Sequence, residues 1–241
     1  MAGGMAGGTT GKTAGRRGWP VWRGLLLLMI ILLGGAFILR TIHDWRPDRA
    51  AYPVQGVAIG ARNGLVHFGQ LRAGGADFVY LDATYGSKRR DLRFVENRNR
   101  TRALKMRFGA IHHYDLCALA SDQASNFDGL VPRDADALPP AIAIAYRDGC
   151  TDHPTQAMLE GELTTFLNQV ETHMGRKAIL MPSPAIAGDY SFTALDRPLV
   201  LTGNYFPPEE GSVWRMWLAN NRARIDGADG NVRWIVINPR T

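Results

Sequence analysis

The run "GLLLLMIILLGGAFIL", Gly24 to Leu39, holds sixteen residues without a charge. As a helix rising ~1.5 Å per residue it is roughly 24 Å long, and a bilayer core needs about 20 apolar residues. Extension to Val21 and Ile42 reaches that length, with Arg23 and Arg40 snorkelling to the two surfaces. The run has no polar face, which a helix packed on a soluble core would carry. Residues 19–42 therefore read as one transmembrane signal-anchor, and everything after it must fold on one side of a membrane. Lys12, Arg16, Arg17 and Arg23 precede the span with no acid among them, whereas Asp44 and Asp48 dilute the Arg40, Arg46 and Arg49 that follow. This asymmetry places the N-terminus in the cytoplasm and residues 50–241 outside, with the membrane crossed once through residues 21–42. No small-x-small site precedes a polar boundary, so an uncleaved anchor is favoured over a signal peptide.

Residues 1–18 are mostly Gly, Ala, Thr and basic residues with little to bury, the composition of a disordered basic cytoplasmic tail. Residues 43–52 read as a linker and 53–241 as one domain. The net charge of +6 comes mostly from the first 50 residues, which hold seven Lys/Arg and two Asp/Glu; the remainder has 21 against 20. The high pI is thus no argument for nucleic acid, and none is expected as a partner. One basic cluster remains, with nine Lys/Arg between Lys88 and Arg107. It suits a solvated helix surface, or a surface facing anionic envelope polymers or lipid headgroups.

Short apolar runs alternate with longer amphipathic stretches. Strands are expected over 54–59, 77–82, 108–114, 140–146, 177–181, 198–202, 213–218 and 232–237. Helices are expected near 65–74, 91–106, 119–129, 155–174 and 184–190. The alternation predicts an α/β fold, a single irregular (β/α) TIM-like barrel with a helix-poor C-terminal half. Functional groups in such barrels stand at the C-terminal ends of strands. Cys117 and Cys150 each follow an expected strand, so a disulfide can join them if the strands are neighbours. A Cys–His pair with His112 or His113 stays open at this level. "HHYD" offers no third or fourth metal ligand at useful spacing, so no metal and no cofactor are expected.

The stretches "ADFVYLDATYG", "RDLRFVENRNRTRALKMRFGAIHHY", "DQASNF" and "LPPAIAIAYRDGC" resemble glycoside hydrolase family 25, the Chalaropsis-type lysozymes (N-acetylmuramidases). The resemblance runs from Val54 to the C-terminus and implies a peptidoglycan glycan strand as substrate or ligand. Framework matches include Gly56, Phe78-Val79-Tyr80, Asp91, Asn97, Gly109-Ala110, His112, Leu138-Pro139-Pro140, Trp214 and Trp217. Cys117 and Cys150 resemble a pair in some bacterial members. The departures fall on the acids. The family's G-I-D-V-S aspartate falls on Ala58, the two acids of L-P-P-x-x-D-x-E on Ala143 and Ala145, and a later aspartate on Arg233.

Glycoside hydrolysis uses two carboxyl groups flanking the scissile bond, and alanine supplies neither proton nor charge. The expectation is a catalytically inactive pseudo-muramidase that binds peptidoglycan, with no catalytic residue. Asp82 is the fallback acid for an active or altered N-acetylmuramidase, and an ion pair between Asp82 and Arg233 is its blander reading. A third possibility is a non-catalytic envelope scaffold, its protein partner unspecified. Asp82, Tyr85, His112, Tyr114, Tyr146, Trp217 and Arg233 are the candidates for lining the glycan cleft, with ordinary packing the competing role of each aromatic.

Overall fold

Strand stretches, most of them buried on both faces, make a sheet that curls around its own side chains. The computed structural model describes residues 3–4, 7–8, 21–151, 153–203, 205–209 and 214–240. The tail expected over 1–18 falls almost wholly outside these residues, as does Val213 of the strand expected at 213–218. The chain divides into two units, Met1–Arg40 and Thr41–Thr241. The first contains most of α1 (Val21–Asp44), a 24-residue helix long and apolar enough to cross a membrane.

The second unit is a mixed α/β fold. Its strands are β1 (Gln55–Ile59), β2 (Phe78–Tyr85), the two-residue β3 (Arg89–Arg90), β4 (Arg107–Tyr114), β5 (Ala141–Ile144), β6 (Ile179–Pro182), β7 (Val200–Thr202), β8 (Met216–Ala223) and β9 (Val232–Ile237). Helices α2 (Phe68–Ala73), α3 (Phe94–Ala103), α4 (Ala120–Asp128), α5 (Gln156–Met174) and α6 (Pro184–Asp189) fall between them. The sheet order is β6-β5-β4-β2-β1-β9-β8-β7, with β3 attached to β2. A bridge between Leu180 and Leu199 brings the two edges together, so eight strands form a nearly closed barrel-like ring. The ring is not uniformly parallel: β9 runs antiparallel to both β1 and β8. Its first residues consequently lie at the rim where the parallel strands end.

Alternate side chains fill the interior. Ala58, Phe78, Tyr80, Ile111, Ala141, Ile179, Met181, Val200, Met216, Leu218 and Ile235 form the inner cluster, and the larger outer cluster lies beneath the helices. Tyr80 spans the interior and its hydroxyl donates to the Pro139 carbonyl at 3.0 Å. Its ring leaves no room opposite: a Cβ at Gly109 would stand 2.3 Å from Tyr80 Cε1. Gly109→Ala is therefore expected to destabilise the barrel by about 1–3 kcal/mol, read as a lower thermal midpoint.

Helix α5 shows how sequence sets an outer element. Thr155 caps it by accepting the Met158 amide at 3.3 Å. Leu159, Leu163, Phe166, Leu167, Val170 and Met174 make one buried stripe. Gly175, at φ 69°, ends it in the left-handed conformation.

No helix lies between β8 and β9, and a different element covers their outer faces. Residues 43–52, expected as a linker, pack on the barrel. Trp45 meets Tyr205 and Trp217 with ring centroids 5.4 and 6.2 Å away. Tyr52 lies 5.5 Å from Trp217 and 6.4 Å from Trp214. The Arg46 guanidinium stacks 4.3 Å above the Trp234 ring and donates to the carbonyls of Gly74 and Arg224. Gln55 donates to the carbonyls of Pro47 and Tyr52 and accepts from the Trp234 indole. The register of β8 shifts on both sides of Asn220. The buried Asn220 amide donates to the carbonyls of Ile42 and Trp45. This strap does the work of the helix that the second half of the barrel lacks.

Candidate functional site

The rim of the barrel collects the inward side chains that follow the apolar interior. On β2, Phe78 and Tyr80 belong to the inner cluster, and Asp82 is the next residue of that face. On β4 the inward series is Gly109, Ile111, His113, because Gly109 faces Tyr80 and Ile111 lies in the inner cluster. Ala58 on β1 and Ala143 on β5, the latter paired with His113, also face inward. Ala58 pairs in register with Arg233 of β9, which the reversed direction of that strand carries to the rim.

Asp82, Arg233 and His113 form one network. Arg233 Nη2 donates to Asp82 Oδ1 at 2.5 Å, and His113 Nε2 lies 2.9 Å from the same oxygen. The Asp82 side chain is 3% exposed and that of Arg233 12%. A Cβ at Gly60 would stand 2.5 Å from Asp82 Oδ2, so only a glycine lets the β1 turn close on the carboxylate. Burial by itself would raise the pKa of Asp82. The Arg233 charge and the His113 hydrogen bond outweigh it and hold the carboxyl well below the usual range. Asp82 is therefore a fixed anion, matched to a fixed cation.

His113 is the residue that sequence reading did not place in the cleft. Its ring stacks on Tyr85, centroids 4.5 Å apart with planes 12° apart. Tyr85 in turn donates to Asp91 at 3.3 Å and lies under the Arg89 guanidinium. Burial, then the neighbouring Asp82 and Asp91, push the Tyr85 phenol upward, so it stays protonated and a donor. Asp91 stands close by, but its oxygens accept the amides of Ala61 and Arg93.

His112 occupies the opposite face of β4 from the cleft expected for it. It is fully buried and packs 4.7 Å from Phe166 on α5. Thr84 Oγ1 lies 2.8 Å from its Nδ1, and Gln123 Oε1 3.2 Å from its Nε2. A neutral ring satisfies both, accepting from Thr84 and donating to Gln123. Burial pushes its pKa down to about 3, against a smaller opposing effect of Gln123. Three aromatic candidates also lie away from the interior. Tyr114 is buried 5.4 Å from Phe166. Trp217 is buried under the strap and donates its indole N–H to Gly203. Tyr146 packs against the outer cluster and donates to Asp189 at 2.6 Å. Each sits on a strand, or just past one, at odd offset from the inner residues. Ala145 lies one residue beyond the end of β5 and is half-buried.

Cys117 and Cys150 are joined in a disulfide with Cα atoms 5.8 Å apart. It ties the loop after β4 to the loop after β5. Asp115 has an oxygen within 4.8 Å of both sulfurs, but disulfide sulfurs are not thiolate ligands, so this trio does not make a metal centre in the oxidised protein.

Known proteins share this fold. Residues 57–185 match the family described as Glycosyl hydrolases family 25. The Escherichia coli K12 protein YegX is 26% identical over 168 residues, 67% of this chain and 59% of YegX, so the chain spans less than two thirds of that relative. A family 25 glycosyl hydrolase from Bacillus anthracis superposes with a TM-score of 0.72 at 25% identity, covering 81% of this chain and 92% of that one. The bacterial lysozyme of Streptomyces coelicolor gives 0.68 at 20% identity, covering 77% and 92%. A family 25 lysozyme from Aspergillus fumigatus gives 0.66 at 20% identity, covering 77% and 93%. The last two likenesses are likenesses of fold.

Proposed function

Because the chain belongs to glycosyl hydrolases family 25, we propose that it is a membrane-anchored, lysozyme-like domain that binds peptidoglycan without cleaving it. The fold is then an irregular (β/α) barrel held on the outer side of a bacterial inner membrane by residues 19–42. One observation carries the reading: the inward carboxylate at the rim, Asp82, is bonded to Arg233, while the strand positions paired with Arg233 and His113 hold only the small residues Ala58 and Ala143. Two carboxyl groups are needed, one of them protonated to serve the leaving oxygen. Asp82 is held ionised, so it has no proton to give at neutral pH. The cationic Arg233 opposes the positive charge that develops on the sugar in the transition state.

Binding has other means. The Tyr85–His113 stack offers an aromatic face, and Arg233 and His113 offer polar atoms beside it. The full chain in detergent should co-sediment with purified peptidoglycan and release no reducing ends above the blank. Release that disappears in Asp82→Asn would establish a relocated acid and overturn the inactive assignment. Neither sedimentation nor release would leave the scaffold reading instead.

A further inference from the structure

The end of α3 holds a lysine where a glycine is the usual residue. The Met106 amide donates to the Thr101 carbonyl and the Lys105 amide to the Arg102 carbonyl, both at 2.9 Å. These two bonds make a Schellman motif with Lys105 at its left-handed position, at φ 51°. A side chain is disfavoured there because its Cβ crowds the backbone. The same chain places Gly175 in the left-handed position that ends α5. The exposed lysine puts a cation at this strained end where a glycine would carry none.

Lys105 does not stand alone. With Arg102, Arg107 and Arg176 it lines a cleft of about 670 Å³, floored by Met106, Phe108 and Ala137. Asp134 and Asp136 are the acids on its wall. Four cations against two carboxylates leave a net charge of +2. Arg102 pairs with Asp134 at 3.3 Å. Arg176 is fixed by donating to the carbonyls of Ala135 and Ala137. Lys105 and Arg107, both exposed, form no ion pair among the described residues. Arg107 opens β4, so the cleft lies at the pole opposite the Asp82 rim.

We infer that this cleft is a second docking site, electrostatic and separate from the rim, for the carboxylates of peptidoglycan stem peptides. The inference rests on the cell-wall reading above and adds to it the part of the polymer that is recognised. A polymer with many carboxylates can meet the rim and the far pole on different strands. Lys105 and Arg107, exposed and without an ion pair among the described residues, are the charges left to meet such a ligand, and the attraction is screened by salt.

The test uses the full chain in detergent and purified peptidoglycan, with sedimentation read at low and high salt. Lys105→Glu combined with Arg107→Glu should weaken binding about tenfold at low ionic strength. Amidation of the peptidoglycan carboxylates should weaken the wild type to a similar degree. Lys105→Gly should raise the thermal midpoint by about 2–4 °C and still bind several-fold more weakly. Because this variant is expected to be the more stable one, its weaker binding cannot be ascribed to misfolding, and full binding by it overturns the site. Equal sedimentation of wild type and the double variant also overturns it, with the cell-wall reading intact. A wild type that does not sediment removes both. If the double variant loses affinity for phosphatidylglycerol vesicles but not for peptidoglycan, the partner is lipid and the inference is wrong.

Discussion

Arg233→Met should lower the thermal midpoint of the barrel at pH 7 by roughly 6–20 °C, the equivalent of about 3–5 kcal/mol. The substitution keeps most of the side-chain bulk and removes only the partner of a carboxylate that is 3% exposed. An unpaired buried charge is far worse than a buried pair. The pH dependence distinguishes this cause from lost packing. In the wild type the Asp82 pKa is depressed below 3.8. Its contribution is present above the unfolded pKa, ~3.9, and is lost as pH falls through the folded value. In the variant, burial is no longer outweighed by the Arg233 charge, and the folded state holds a proton on Asp82 more tightly than the unfolded chain does. Its stability then falls as pH rises above ~4, so the gap between the two proteins should widen from pH 4 to pH 7. Asp82→Leu added to Arg233→Met should restore most of the loss, since the pair is then replaced by apolar groups. A gap of constant size across that range would mean the ion pair is not what the arginine supplies.

The strands and helices were legible because their signals are local. Alternation of apolar runs with the stripe of α5, the cap at Thr155 and the stop at Gly175 depend on nearby residues, and the expected strands and helices lie within a few positions of where the sequence puts them, while the two-residue β3 was not expected. The antiparallel course of β9 was not legible, since pairing direction is set by long-range packing. The rim was legible in part. Ala58 and Ala143 were singled out through the family resemblance, and Asp82 and Arg233 were named together as a pair of opposite charges. Of the two histidines, His112 was named for the cleft, whereas His113 is the one turned toward Asp82. Strand β4 is buried on both faces, so period-two alternation gives no direction, and only the close approach of Gly109 to Tyr80 fixes which of His112 and His113 turns inward. Trp217 fails for a related reason: an aromatic near a strand end suits a sugar platform and an outer core equally well, and the neighbours that decide it, Trp45 and Tyr52, are more than 160 residues away in sequence.

Those two aromatics also mark the largest departure from the sequence reading, and they set the second large effect. A chain beginning at residue 53 should fail to yield a cooperatively folding barrel, whereas one beginning at residue 41 should fold. Loss of the strap uncovers Trp217 and Trp234, both about 1% exposed when it is present. It also removes the ring contacts of Trp45 and Tyr52 and the Arg46 stack. Trp45→Ala alone should lower stability by ~2–3 kcal/mol, below the range for a fully buried tryptophan because this one is half-buried. The whole strap therefore accounts for a large share of the roughly 5–15 kcal/mol that holds a domain together. Limited proteolysis and thermal melts of the two pieces and the point variant would measure this. Similar midpoints for pieces starting at 41 and 53 would restore the segment to a passive tether. Within the fold described here, the stretch between anchor and barrel is wall rather than leash: a Pro- and Asp-containing sequence reads as a linker, yet its aromatic residues supply the cover that β8 and β9 obtain from no helix.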